Sequence, residues 1–235
     1  MEEKKRFIHS LVFPGFFLFL IWFIKFIEFG LDTDFVALGI YPLKLKGLIG
    51  ILTAPLIHAN ITHLFDNSIP LFFLSLALFY FYREVAYRVF FLIYFITGAL
   101  VWIIGREAYH IGASGIIYGL ATFLFTSGII RRNRNLLAIS LLVIFLYGSM
   151  VWGLFPYDYH ISWESHLMGA ITGIVLSYVY RHEGPESDIE RLVDEEEEDD
   201  GEDEDEPGPT SQSGNPDPDG AGEDRLHRHN EEESC

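Results

Sequence analysis

His110-Ile-Gly-Ala-Ser-Gly115 and Ser165-His-Leu-Met-Gly169 each open an apolar run long enough to enter a bilayer. A hydroxyl and an imidazole at the head of such runs are out of place by default. Polar and ionisable side chains inside a membrane are expensive and usually functional. The two stretches therefore pose one question, whether Ser114 and His166 meet, and one requirement, a set of helices that holds them together.

The rest of the composition supplies those helices. The formal net charge of −17 over 235 residues suggests an acidic soluble protein, but the charge sits at one end. Glu183 to Cys235 carries 23 acids and 3 bases, whereas residues 1–182 carry 10 acids and 13 bases. A mildly basic, very apolar body thus bears an acidic appendage. The body repeatedly runs for about 20 residues with few charges, the length that crosses a hydrocarbon core of about 30 Å as a helix. A water-soluble helical protein would show polar faces at helical period, and these segments lack them. The first span is too long for a cleavable signal peptide, and no small-residue cleavage site follows it. The single cysteine, Cys235, leaves neither an intrachain disulfide nor a cysteine-based metal site. No basic patch with interleaved aromatics suits a nucleic acid.

The sequence predicts an all-α polytopic membrane protein with six transmembrane helices and a long first loop. The first span runs from Leu11 to Phe29, with Pro14 near its start, where proline is tolerated. Lys25 and Glu28 near its far end read as side chains snorkelling to the interface. Residues 30–57 are apolar yet broken by Gly39, Pro42, Gly47, Gly50 and Pro55, so they form a loop rather than one spanning helix. Irregular backbone at membrane depth must pack against protein. Further spans are predicted at 60–82, 87–105, 113–130, 135–154 and 164–181. Lys4, Lys5, Arg6, Arg83, Arg88, Arg131, Arg132, Arg134 and Arg181 then fall on one side, and Lys44, Lys46 and Arg106 on the other. The positive-inside rule puts both termini in the cytoplasm. The expected organisation is a cytoplasmic start (1–9), a membrane domain (10–181) and an acidic cytoplasmic tail (182–235). The tail, with the acidic run Asp194–Asp200 followed by Pro, Gly, Ser and Asp, cannot bury enough apolar surface to offset its ordering entropy.

With that topology the second, fourth and sixth spans start on the same, outer side. Their leading ends hold His58, His63 and Asn67, then Ser114, then His166. Ser114 lies in Gly112-Ala113-Ser114-Gly115 at a loop-to-helix junction, where helix-start amides favour an oxyanion. Gly115 and Gly119 are four apart in one span, and Gly169 and Gly173 four apart in another. Small residues at this spacing let helix backbones nearly touch. Packing the two seams together brings Ser114 within reach of His166, the arrangement of a serine nucleophile and its general base. Glu164 and Asp66 point elsewhere, so the expected set is a dyad. Tyr118, one turn below Ser114, either stacks on and orients His166 or packs as an ordinary aromatic. His63 and Asn67 share a helix face and can complete an oxyanion hole. A rival set, His58, His63 and His166, offers three imidazoles to zinc; it leaves Asn67 and Ser114 without a task.

These motifs resemble those of the rhomboid intramembrane serine proteases of the minimal six-span type, over roughly residues 10–181. The chain carries H-x4-H-x3-N as His58, His63 and Asn67, G-x-S-G as Gly112 to Gly115, and H-x2-G-x3-G as His166, Gly169 and Gly173. The resemblance implies cleavage of single-span membrane proteins near the extracytoplasmic face, with no cofactor, in a bacterial plasma membrane. Ser114 would attack, and His166 would serve as base and then acid. His63, Asn67 and the Ser114 backbone would hold the oxyanion, with His58 supporting the loop and Tyr118 packing on His166. The bilayer and transmembrane substrates are the implied partners. Where the family usually has a Trp-Arg pair in the first loop, this chain has Ile49-Gly50. Tyr147, Met150 and Trp152 in the fifth span would border a lateral substrate entrance. An inactive scaffold that binds transmembrane helices is the alternative, although such relatives typically lack the serine or the histidine.

Overall fold

A computed structural model describes residues 2–146, 153–156 and 162–187. The chain divides into two units, Met1–Glu195 and Glu196–Cys235, and every described residue belongs to the first. Tyr147, Met150, Trp152 and the tail from Asp188 onward lie outside the described residues.

The described chain is helical: α1 (Glu2–Gly30), α2 (Gly50–Thr53), α3 (Ile61–Phe81), α4 (Ala86–Ile104), α5 (Ser114–Arg131), α6 (Arg134–Leu146) and α7 (Trp163–Val179). Among the described residues there is no strand, only one isolated antiparallel bridge between Ile40 and His110. Among the described residues, four stretches are long and apolar enough to cross a membrane: Glu3–Gly30, Ile61–Phe81, Ala86–Ile104 and Ser114–Arg131. They present phenylalanines such as Phe16, Phe19, Phe26, Phe73 and Phe95 outward. In water that surface would aggregate; in lipid it is the expected exterior. This is an integral, multi-pass membrane protein.

Helix α5 is the central element. Its buried residues Ile116, Ile117, Leu120, Ala121, Phe123 and Leu124 face a core shared with α3, α4 and α7. The seam with α7 is tightly closed. A methyl group on Gly169 would run into the Gly115 carbonyl, and one on Gly173 into the Gly119 carbonyl. Thr122 closes the seam further down by donating from Oγ1 to the Ala170 carbonyl at 2.9 Å. Helix α1 packs on α3 and α4 through Phe13, whose ring stacks on Phe79 at 4.7 Å and meets Phe90 edge-on at 4.9 Å.

Three local readings change. Helix α1 starts at Glu2 rather than Leu11, because Arg6 is held there: its Nε and Nη2 donate to the Tyr80 carbonyl at 3.1 and 2.8 Å, with the guanidinium over the Tyr80 ring. The fifth span does not remain helical to 154, since Gly153 and Leu154 lie in a turn that runs into Pro156. Lys25 and Glu28 do not snorkel. Lys25 Nζ donates to Glu28 Oε2 and to the His58 carbonyl, both at 2.8 Å, and buried Glu28 accepts from the Phe35 amide at 2.7 Å. This clamp ties the far end of α1 to both ends of the first loop.

The clamp also helps explain how that loop is anchored without a Trp-Arg pair. Ile49 is exposed, while Gly50 lies so close to the Gly39–Ile40 backbone that no side chain fits. Trp102 of α4 donates from Nε1 to the Lys44 carbonyl at 3.0 Å, and its own carbonyl accepts from the Leu43 amide at 3.0 Å. Tyr94 donates its hydroxyl to the Leu52 carbonyl. The loop hangs on α4 by main-chain carbonyls, with Leu43, Leu45 and Leu52 outward.

Candidate active site

Gly112 begins the site. Its φ of +104° lies in the left-handed region that glycine tolerates, and its amide donates to the Ala54 carbonyl at 2.9 Å. The turn it makes sets Ala113 as the residue before α5 and Ser114 as its first residue. The first-turn amides of a helix have no intrahelical acceptor, so the Ser114 and Gly115 N–H groups are free of that ladder. On the side where a Gly112 side chain would stand are His63, 2.9 Å at Cε1 and 3.1 Å at Nε2, and Asn67 at 3.8 Å. His63 and Asn67 are set by α3: Asn60 caps that helix by accepting from the His63 amide at 2.8 Å, and Asn67 Nδ2 donates to the His63 carbonyl at 3.0 Å.

Across the glycine seam, His166 Nε2 lies 2.8 Å from Ser114 Oγ. Its other nitrogen, Nδ1, is 2.8 Å from the Gly153 carbonyl. A carbonyl only accepts, so Nδ1 carries the proton and donates, and the neutral ring offers the Nε2 lone pair to the serine hydroxyl. Tyr118 lies flat on the imidazole at 4.3 Å between centroids and 13° between planes. His166 is buried and Ser114 half-buried.

His58 sits behind this group rather than in it. Its buried ring meets His63 edge-on at 5.2 Å. Burial, then the neighbouring His63 and Lys25, pushes His58 down to about 3, so it is neutral at physiological pH. Among the described residues no group of three or more His, Cys, Asp or Glu side chains gathers as a metal site. Of the suggested zinc set, His58 and His63 adjoin, whereas both nitrogens of His166 are already engaged. Glu164 is buried and pairs with Arg106 at 3.4 Å, and Asp66 is exposed.

The chain thus brings Ser114, His166, Tyr118, Gly112, His63 and Asn67 to one place at the N-terminal ends of α3, α5 and α7. Gly153 escaped the sequence reading: any residue type supplies a carbonyl, so nothing in its identity announces the role. The crowding around it gives a signal only in three dimensions, since a methyl there would lie 2.9 Å from His166 Nδ1 and against the Tyr118 hydroxyl.

A family model described as the Rhomboid domain matches residues 46–183. An uncharacterized protein of Mycobacterium bovis is 34% identical over 155 residues, 60% of this chain and 62% of its own length. One from Mycobacterium tuberculosis strain H37Rv gives the same figures. One from Mycobacterium leprae is 33% identical over 149 residues, 60% of this chain and 59% of its own length. The chain therefore spans less than two thirds of the length of these relatives.

Proposed function

The chain belongs to the rhomboid family, and from that premise we propose that it is an intramembrane serine endopeptidase. The observation that carries this reading is the 2.8 Å contact between Ser114 Oγ and His166 Nε2. Ser114 attacks the scissile carbonyl while Nε2 takes its proton, and the Gly153 carbonyl steadies the resulting imidazolium through Nδ1–H. The tetrahedral oxyanion is met by the Ser114 amide at the positive end of α5 and by His63 and Asn67. Nε2–H then protonates the leaving amine, and water, deprotonated by the same ring, hydrolyses the acyl-enzyme. Gly112 serves by leaving the space beside His63 unfilled.

The substrates on this reading are single-span membrane proteins, cut near the extracytoplasmic face of a bacterial plasma membrane, with both termini of the enzyme in the cytoplasm. The bias of Lys and Arg between the two sides supports that orientation. A fluorophosphonate probe tests the assignment. Wild-type protein should label, Ser114→Ala should not, and His166→Ala should label poorly. Labelling that survives Ser114→Ala removes the protease reading, and a wild type that never labels points to a helix-binding scaffold.

A further inference from the structure

His110 and Ser162 stand four residues ahead of Ser114 and His166 respectively, and their side chains meet. His110 Nδ1 is 2.5 Å from Ser162 Oγ, and His110 Nε2 is 3.1 Å from the Arg106 carbonyl. The carbonyl requires Nε2 to be the donor, so Nδ1 accepts from the Ser162 hydroxyl. Ser162 Oγ in turn accepts from Ser165 Oγ at 2.7 Å. His110 is buried, and no step of the proposed chemistry uses it. We infer that His110 and Ser162 are positioning residues: their hydrogen bond joins the segment that delivers Ser114 to the start of the helix that carries His166. The inference rests on the protease reading.

Backbone contacts give the bond its leverage. Ser162 caps α7, and its carbonyl accepts from the amides of Ser165 at 3.1 Å and of His166 itself at 3.4 Å. Holding the Ser162 side chain therefore holds the peptide from which His166 departs. On the other side the His110 main chain is fixed in both directions to Ile40, at 2.8 and 3.0 Å, and Gly112 is fixed to Ala54. The path from His110 to Ser114 is thus rigid, and a displacement of α7 along the glycine seam is opposed at its outer end. The glycines govern how close α5 and α7 approach. They do less to set the register along the seam, because smooth backbone faces resist sliding weakly. Arg106 and Glu164 repeat the link between the same two segments at 3.4 Å, half-exposed on the Arg106 side.

The test compares full-length wild type with Ser162→Ala, His110→Ala, the double variant and Ser162→Thr, in proteoliposomes with a transmembrane model substrate. Each single loss should lower kcat by about tenfold with KM changed less than about twofold, since small misplacements of reacting groups are amplified in rate. The double variant should be no worse than the poorer single, and Ser162→Thr, which keeps the hydroxyl, should recover most of the loss. Melting temperatures recorded alongside separate positioning from folding. A kcat loss that follows the folded fraction, or single variants with wild-type kcat, overturns the inference. Should wild type itself fail to label at Ser114, the protease reading falls instead, so the two failures are distinguishable.

Discussion

Because a carbonyl cannot donate, the contact between Gly153 and His166 Nδ1 gives the imidazole one neutral tautomer without an acidic residue. A carboxylate there would have to be buried beside Tyr118 and desolvated, at a cost that a peptide carbonyl largely avoids. Gly153 meets a second demand, since any side chain at that position collides with the ring it orients. Gly153→Ala is therefore expected to reduce fluorophosphonate labelling by about a hundredfold through displacement of His166, with a much smaller change in melting temperature. Equal labelling rates in the two proteins would show that a methyl at position 153 is accommodated without displacing the ring. His58 gives a pH signature of its own. Its folded value of about 3 lies below the usual 6.5. The unfolded chain binds the extra proton between those limits, so the stability His58 provides is complete above about pH 6.5 and is lost as pH falls towards 3. Unfolding of purified protein across that window should lose up to roughly one proton's worth of slope in His58→Gln. An unchanged slope would mean that His58 charges as readily in the folded protein.

At the scale of elements, the α5–α7 seam is where packing sets the distance between Ser114 and His166. A methyl on Gly169 meets the backbone of Gly115, which has no rotamer with which to yield, so the helices must separate. Gly169→Ala should destabilise by about 1–3 kcal/mol, the usual range for overpacking, and suppress labelling as well. Gly15 in α1 is the matched control, with nothing within 4 Å of a methyl there. Gly15→Ala should be neutral or slightly stabilising by its higher helix propensity. A Gly169→Ala protein as stable as Gly15→Ala would show that the seam has room for a methyl. This seam was legible in the sequence, because spacing four on two apolar runs has few other uses. The positions of α3, α4, α5 and α7 were legible from hydropathy to within a few residues. The Lys25–Glu28 clamp was not: a long charged side chain near a helix end looks the same whether it reaches outward or folds inward, and only the location of the His58 carbonyl decides between them. The early start of α1 was hidden for the same reason, since Arg6 is held by a carbonyl 74 residues away.

Across the whole molecule, the chain after α7 returns to the helices it has just left. Arg131 at the end of α5 donates to the carbonyls of Pro185 at 2.6 Å, Arg181 at 2.8 Å and Gly184 at 3.4 Å, and Asn133 Nδ2 donates to Glu186 at 2.9 Å. Gly184, at a φ of +106°, lies against the Tyr82 ring where a side chain would not fit. Asn133 Oδ1 also accepts from the Leu136 amide in the first turn of α6 at 3.2 Å, so residues 181–186 join α5 and α6 from below. The composition shift after Arg181 therefore comes before the contacts made by residues 184–186. Truncation after Ser187 should leave both melting temperature and turnover in liposomes close to wild type, because every one of these carbonyls is retained. Truncation after His182 removes three of the four and should destabilise by about 1–2 kcal/mol, as the Arg131 guanidinium and the Asn133 amide lose these acceptors but regain water. Turnover measured well below the transition should change little, because the strap lies at the opposite end of α5 from Ser114. Equal melting temperatures for the two truncations would show that the strap contributes nothing to stability. A loss of turnover at low temperature in the shorter one would show that the far end of α5 communicates with the end that carries Ser114.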